Sequence, residues 1–246
     1  MKKTSIALGV AAVAAASTVK AAMPLDDLSV TVDFGYESEY VFRAVKLDQQ
    51  VIQPGVELEM NDFYAGVWGS YGISTAPRGG RETDFYAGYT MPIDEMVDLD
   101  FGFTYYYYSQ DEASTFEIYG GAAFDFIGDP SAYIYYDLDI EVWTFELSGS
   151  YEIPLENNMA LELSGNLGYQ RFTGSSDFEE YNHYYAEAFA DVVFALSDNA
   201  SFSVGPRVTT QRIGSSSDGN DVRDDIAGGS SGRDLFWWGA KFSAGF

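Results

Sequence analysis

The chain of 246 residues has no cysteine, a single histidine, and only 13 lysines and arginines against 38 aspartates and glutamates. Without cysteine it can form neither disulfides nor thiolate metal sites. The formal net charge of −25 argues against nucleic acid and anionic ligands as partners, and it favours cations. Neither a glycine-rich phosphate loop nor a metal-ligand motif occurs in the sequence, so no cofactor is expected.

Long apolar runs are also scarce. After the N-terminal segment, no stretch approaches the roughly 18 residues that a membrane helix needs. Hydrophobic residues nevertheless make up 46% of the chain and aromatic residues 17%. Many aromatics without long apolar runs are typical of membrane strands, in which outward apolar and inward polar side chains alternate.

The N-terminus has the features of an export signal. Met1 to Lys3 is basic, Ile6 to Ala16 is an apolar run with small residues, and Val19-Lys20-Ala21 fits a small-residue cleavage site. We therefore predict a signal peptide over residues 1–21. The remaining residues, 22–246, show no linker or break in composition and are expected to form a single domain.

The C-terminal segment from Asp234 to Phe246 alternates in polarity. Counting back from Phe246, every second residue is apolar, and the residues between are small or polar apart from Trp237. A period of two predicts a strand with one apolar face. A terminal aromatic after this pattern resembles the C-terminal signal of bacterial outer-membrane barrels, with Phe242 and Phe246 as the barrel-assembly signal.

Twelve segments of this kind recur along the chain, the first over 30–36 and the second over 52–60. Their apolar faces carry no ionised group, as a face toward lipid requires. The sequence thus predicts an all-β fold, a transmembrane antiparallel up-and-down β-barrel of about 12 strands with both chain ends in the periplasm. Pro54 and Pro206 lie inside strands, where a bulge would change the strand count. A soluble β-sandwich is the rival architecture, but it would expose far fewer aromatics.

The opposite face of each strand gives the predicted lumen, which is acidic and holds the candidate pore-lining residues. These are Asp33, Glu37, Glu39, Arg43, Glu57, Glu82, Asp84, Asp98, Asp100, Glu117, Asp137, Glu146, Glu187, Arg207 and Lys241. Rings of carboxylates attract cations and repel anions. Two arrangements stay open for the middle of the barrel: small residues leave room for water there, or inward tyrosines fill it. The tyrosines are Tyr64, Tyr86, Tyr106, Tyr108, Tyr119, Tyr133, Tyr135 and Tyr185.

Two ion pairs are predicted inside the wall. A short turn at 197–199 joins two strands and places Arg207 opposite residues 187–191, which include two acids. Closure of the last strand on the first places Lys241 near Asp33 or Gly35. Buried charges usually need partners, so these pairs are expected to hold the wall together.

The single histidine, His183, is expected to face inward near the outer end of its strand. An outer-membrane hydrolase would need it as a general base, but no local motif supports a catalytic arrangement. The protein is therefore expected not to be an enzyme. The acidic residues of the long loop 212–233 do not have the spacing of a calcium-binding loop, and we interpret the loop as solvated.

Several strands also carry motifs in a characteristic order. They are Ser38-Glu39-Tyr40-Val41-Phe42-Arg43, then the stretches 63–70, 82–89, 105–108, 116–121 and 135–138. In this order they resemble the TorF-type porin family of bacterial outer membranes, over roughly residues 28 to 170. The family motif usually has glycine after the Phe-Arg pair, where this chain has Ala44. The resemblance implies an outer-membrane β-barrel with porin function and leaves the substrate undefined.

Together these observations predict a porin-like passive diffusion channel in the outer membrane of a Gram-negative bacterium, with an acidic lumen that prefers cations in ion transport. Expected partners are outer-membrane lipid and lipopolysaccharide, the barrel-assembly machinery, and small cationic or neutral solutes. The alternatives are a non-conducting barrel that serves structure or surface recognition through the loop 212–233, and an outer-membrane hydrolase.

Overall fold

The computed structural model describes residues 28–74, 81–110, 112–173, 181–213 and 234–246. The predicted signal peptide and most of the loop 212–233 lie outside these residues. The described chain forms twelve strands. Their bounds are β1 Leu28–Phe42, β2 Val45–Met60, β3 Phe63–Gly72, β4 Glu82–Pro92, β5 Val97–Tyr108, β6 Ala113–Phe124, β7 Ser131–Asp137, β8 Val142–Pro154, β9 Met159–Phe172, β10 Tyr181–Ser197, β11 Ala200–Ile213 and β12 Asp234–Gly245.

The strands form a closed barrel. Each strand pairs antiparallel with its neighbours along the chain, and β12 closes on β1. In this seam Thr31 lies opposite Gly245, and Glu37 lies opposite Gly239. The predicted antiparallel barrel of about 12 strands is therefore confirmed. The first and last described residues, Leu28 and Phe246, lie at one rim, which we call the terminal end, and we call the opposite rim the loop end.

The barrel is apolar outside, as the alternation predicts. On β12, Phe236 and Trp238 point outward and are 72% and 48% exposed, whereas Trp237 between them points inward and is 3% exposed. Outward aromatics also pack against each other, and the ring centroids of Tyr136 and Trp143 lie 4.4 Å apart. Such a continuous apolar exterior is typical of a barrel surrounded by lipid. Across the described ranges, no helix has the length and hydropathy to cross a membrane.

The two prolines inside strands each interrupt one ladder and leave the strand count unchanged. Between β2 and β3 the pairing stops after Ile52 and resumes at Gly55, on either side of Pro54, in the same register. Between β10 and β11 it stops after Arg207 and resumes at Val204, on either side of Pro206. Proline has no N–H to donate, which explains each gap.

The first hairpin differs from the prediction. The predicted alternating stretches end at residue 36 and resume at 52, but β1 continues to Phe42 and β2 starts at Val45. Pairing of β1 with β12 ends at Glu37, and pairing of β2 with β3 starts at Val51. In the ladders of the described strands, residues 39–49 pair only with each other. We call residues 39–49 the hairpin tip.

Backbone conformation explains how the hairpin tip bends away from the wall. Gln50 has φ 52°, at the point where β2 leaves β3. The turn itself has φ 48° at Arg43 and φ 63° at Ala44, and two successive residues with positive φ are typical of a tight two-residue hairpin turn. Glycine adopts this conformation most readily, which gives a physical reason for the glycine that the resembling family usually has at the position of Ala44.

Substitutions at Ala44 test this turn. The residue is 0% exposed and has positive φ, so a β-branched side chain there is both strained and overpacked. We expect Ala44→Val to lower the free energy of unfolding by about 3 kcal/mol and Ala44→Gly to change it by less than about 1 kcal/mol. The measurement is urea unfolding in lipid vesicles.

The control is Ala65→Val, on the outward face of β3, where an exposed strand position accepts valine readily. Equal losses from Ala44→Val and Ala65→Val would contradict the strained turn.

Candidate functional site

The predicted pore-lining residues fall into two groups by burial. Partly exposed ones are Asp33, Glu37, Glu39, Glu57, Asp98 and Lys241. Buried ones are Arg43, Glu82, Asp84, Asp100, Glu117, Asp137, Glu146, Glu187 and Arg207. Because the residues of the buried group are shielded from solvent in this arrangement, they do not line an open water path here. Their role in a pore stays a prediction. The lumen is packed toward the loop end and more open toward the terminal end.

Tyrosines fill the lumen beside strands β2 to β7. The Asp100 carboxylate is fully buried and accepts hydrogen bonds from the hydroxyls of Tyr64 (2.9 Å) and Tyr133 (3.1 Å). The Tyr64 hydroxyl also bonds that of Tyr119. Of the two arrangements left open by the sequence, filling by tyrosines is the one that this wall adopts.

The small residues of the waist make room for these rings rather than for water. A side chain at Gly66 would collide with the ring of Tyr86, and one at Gly88 would collide with the ring of Tyr64. The same relation holds between Gly168 and Tyr185 on the opposite wall. Each glycine lets a tyrosine from a neighbouring strand lie flat against the barrel wall, because it has no Cβ. At these glycines the small residues of the waist therefore accommodate tyrosine rings.

Arg207 forms the predicted bond across strands. Its Nη1 donates to both carboxylate oxygens of Asp191 at 3.0 Å, and its Nε donates to Glu37 at 3.3 Å. Glu37 also accepts a hydrogen bond from the indole N–H of Trp237 at 3.0 Å. The register places Lys241 opposite Gly35, as expected from the closing seam.

The hairpin tip folds into the loop-end half of the lumen. Val41 is 3% exposed and packs in a cluster with Phe189 and Trp237, whose rings meet edge to face. Across the lumen, the ring of Phe42 lies 6.2 Å from that of Tyr106, measured between centroids. The tip therefore contacts side chains on distant strands although it shares no ladder with them.

Arg43, at the turn of the tip, is held by a bidentate ion pair on β6. Its two terminal nitrogens donate to the Glu117 carboxylate at 2.7 and 3.0 Å. The guanidinium also lies 4.7 Å from the ring centroid of Tyr135 on β7. The backbone N–H of Ala44 donates to Glu187 on β10 at 3.1 Å. These contacts fasten the tip to walls on both sides of it.

Near the terminal end the lumen contains an open cavity of about 230 Å³. It is lined by the ends of β8 to β12 and of β1, and its lining includes Glu152, Thr31 and the turn residues Asn158 and Asn199. Inward carboxylates next to it are partly exposed, among them Glu162 and Asp191. We call this region the vestibule. It contains the carboxylates of Glu152, Glu162 and Asp191 and is accessible from the terminal end.

His183 is buried within a side-chain network and is 1% exposed. Its Nδ1 bonds Gln170 at 2.8 Å and its Nε2 bonds Gln211 at 2.9 Å. Both ring nitrogens are thus hydrogen-bonded to glutamine side chains, an arrangement typical of a histidine that stabilises the fold. In the part of the chain that the structure describes, no group of acids and histidine could hold a metal ion.

Residues 21–200 of the sequence match a family model described as "Bacterial protein of unknown function (Gcw_chp)", and the chain belongs to this family. The match includes the stretches that carry the TorF-type resemblance, although the description of the family does not use that label. No curated protein matches the chain in sequence.

Solved structures share the fold at low sequence identity. The NanC porin structure aligns with a TM-score of 0.50 at 10% identity, covering 88% of this chain and 98% of that chain. The "KdgM porin in complex with disordered oligogalacturonate" aligns with a TM-score of 0.50 at 11% identity, covering 89% of this chain and 99% of that chain. The barrel therefore has the fold of outer-membrane porins.

The sequence did not reveal that the hairpin tip enters the lumen. The signals available were the apolar Val41 and Phe42 beside Arg43, in a segment whose Glu39 and Arg43 were predicted to line the lumen. Asn166, which donates to Glu187 at 3.3 Å, and the glutamines around His183 were also missed, because uncharged polar residues occur on every lumen face.

The ion pairs of Arg207 with Glu37 and Asp191, which we call the Arg207 junction, allow a test of wall stability. Arg207→Ala leaves the Glu37 and Asp191 carboxylates, which are 14% and 17% exposed, without their cation. We expect the free energy of unfolding to fall by about 3 kcal/mol, since removing one partner of a buried ion pair strands the other charge. The denaturant midpoint in detergent micelles measures it.

Arg212→Ala on the same strand is the matched control, because Arg212 is exposed, and it should change stability by no more than about 0.5 kcal/mol. An Arg207→Ala variant as stable as this control would remove the junction from the forces that hold the barrel closed.

Proposed function

We propose that the protein is a porin-like channel of the bacterial outer membrane for small cations and neutral polar solutes. The acidic vestibule inside a closed barrel is the observation that carries the proposal. A barrel with an apolar exterior and a polar, water-accessible interior has the division of surfaces that a membrane channel needs. The predicted signal peptide and the TorF-type resemblance support export to the outer membrane, with the terminal end in the periplasm.

The charge of the lumen supports cations as the preferred ions. Carboxylates on an enclosed wall focus a negative potential, which raises the local concentration of cations and lowers that of anions. Galacturonate chains, which the KdgM porin was crystallised with, carry carboxylates themselves. A lumen lined by Glu57, Glu152 and Glu162 would repel such a chain, so the shared fold does not extend to a shared solute.

The hairpin tip defines the closed state of this channel. It blocks the loop-end half of the lumen, yet it is bound there by side chains and one backbone N–H rather than by a strand ladder. It can therefore leave the lumen without opening the barrel wall. We propose that conduction accompanies displacement of the tip.

A variant without the tip tests conduction directly. Pairing of Glu37 with Val51 at the base of the hairpin allows residues 39–49 to be replaced by Asn-Gly, a sequence suited to a tight hairpin turn. In planar bilayers we expect this variant to conduct several-fold more than the full chain. Under a potassium chloride gradient its reversal potential should show potassium favoured over chloride about fivefold.

If neither the full chain nor the tip-shortened variant conducts although both barrels are folded, the result would support the non-conducting barrel instead. Chloride preference would overturn the assignment of solute class.

The vestibule carboxylates generate a second test. Glu152 and Glu162 lie opposite each other on β8 and β9, and both side chains point into the lumen. In the tip-shortened channel, Glu152→Gln with Glu162→Gln should reduce the potassium preference by about half, because two of the lumen charges near the terminal end are removed. The readout is again the reversal potential.

Glu156→Gln, in the exposed turn between the same two strands, is the control and should leave the preference unchanged. If Glu156→Gln shifts the reversal potential as much as the Glu152→Gln and Glu162→Gln double change, the charges that select potassium would lie outside the lumen.

A further inference from the structure

Arg43 occupies a preformed pocket for a planar cation. The pocket consists of Glu117, Glu146 and Glu187 together with the aromatic face of Tyr135, and we call it the carboxylate cradle. The three acids belong to β6, β8 and β10 and are 3%, 6% and 7% exposed. Arg43 reaches the cradle from the hairpin tip, whose ladder does not include these strands.

Hydrogen bonds from the barrel itself orient the cradle. Tyr106 donates to Glu117 at 3.1 Å, Tyr185 donates to Glu146 at 2.7 Å, and Asn166 donates to Glu187 at 3.3 Å. None of these donors lies on the hairpin tip. The acceptors therefore keep their positions when the tip leaves, and the site does not depend on its present occupant for its shape.

One guanidinium does not exhaust this pocket. Glu146 lies within electrostatic range of both Arg43 and Glu187. In the described part of the chain, the guanidinium donates its hydrogen bonds to Glu117 and none to Glu146. Arg43 is only 7% exposed, and its Nε is buried without a hydrogen-bond partner. Since buried carboxylates are costly without cations, an emptied cradle would hold a strong attraction for another cation.

The geometry selects the head group. Two parallel N–H···O bonds to a single carboxylate require a planar fork of donors, and a flat delocalised cation also stacks well over an aromatic ring. A guanidinium satisfies both conditions, whereas an ammonium ion offers a point charge only. We propose that the carboxylate cradle is a binding site for solutes that bear a guanidinium group, and that Arg43 is its internal occupant, displaced when such a solute enters. Its role as a solute site rests on the channel proposed above.

Binding is tested with a pair of probes that differ only in the head group, methylguanidinium and methylammonium. Isothermal titration of the full chain in detergent micelles compares the wild type with Arg43→Ala, which vacates the cradle, and with Arg43→Ala/Glu117→Gln, which also disables it. We expect Arg43→Ala to bind methylguanidinium at least about tenfold more tightly than the wild type and more tightly than methylammonium, and the double variant to lose this gain.

Lys46→Ala is the matched control. Lys46 is a second cation of the hairpin tip, and its Nζ pairs with Glu39, which is not part of the cradle, at 2.9 Å. It should leave methylguanidinium binding at the wild-type level. Folding of each variant is followed by circular dichroism. Should Arg43→Ala refold poorly, methylguanidinium added during refolding should restore its yield while methylammonium does not.

A folded Arg43→Ala protein that binds methylguanidinium no better than the wild type overturns the proposal and leaves Arg43 a structural ion-pair residue. So does a poorly refolding variant that methylguanidinium fails to rescue. Because titration in micelles needs no current, the outcomes separate. Cation conduction without methylguanidinium binding removes the site alone, and selective binding by a barrel that never conducts removes the channel alone.

Discussion

Closure of the backbone ladder is the constraint on which the rest of this structure depends. In a lipid environment no water is available for backbone N–H and C=O groups, so a sheet can persist there only without free edges. The pairing of β1 with β12 removes the last edge. Once the sheet is closed, the period of two along every strand separates an apolar exterior from a polar interior. The polar interior and its need for internal partners follow from this division, and the excess of acids in the sequence makes that interior acidic.

The interior meets that need by different means at different places. Beside β2 to β7, tyrosine hydroxyls donate to carboxylates, as Tyr64 does to Asp100 and Tyr86 does to Glu57 at 2.9 Å. At two points arginines neutralise acids, Arg207 within the wall and Arg43 from the hairpin tip. Toward the terminal end the carboxylates are half-exposed and water can solvate them. The barrel interior is thus closely packed in one part and more exposed in another.

The strands and one ion pair were predictable because they depend on local information. Alternation fixes the face of each residue, and the short turn before β11 fixes which part of β10 faces Arg207. The position of the hairpin tip was not predictable in this way. Its contacts join Val41 to Trp237, and Arg43 to Glu117, pairs that are far apart in the sequence and meet only after the barrel has closed. The tyrosine packing is similar, because strand register decides which glycine each ring faces.

By itself, the sequence determined that the chain forms a twelve-stranded barrel with an oily exterior and an acidic interior. A two-residue period and a shortage of cations are properties of the chain that no folding event can change. Only the tertiary structure decided how the interior is filled. Whether a glycine leaves a gap or receives a tyrosine, and whether the first hairpin stands outside or folds within, depends on surfaces that strands distant in sequence create together.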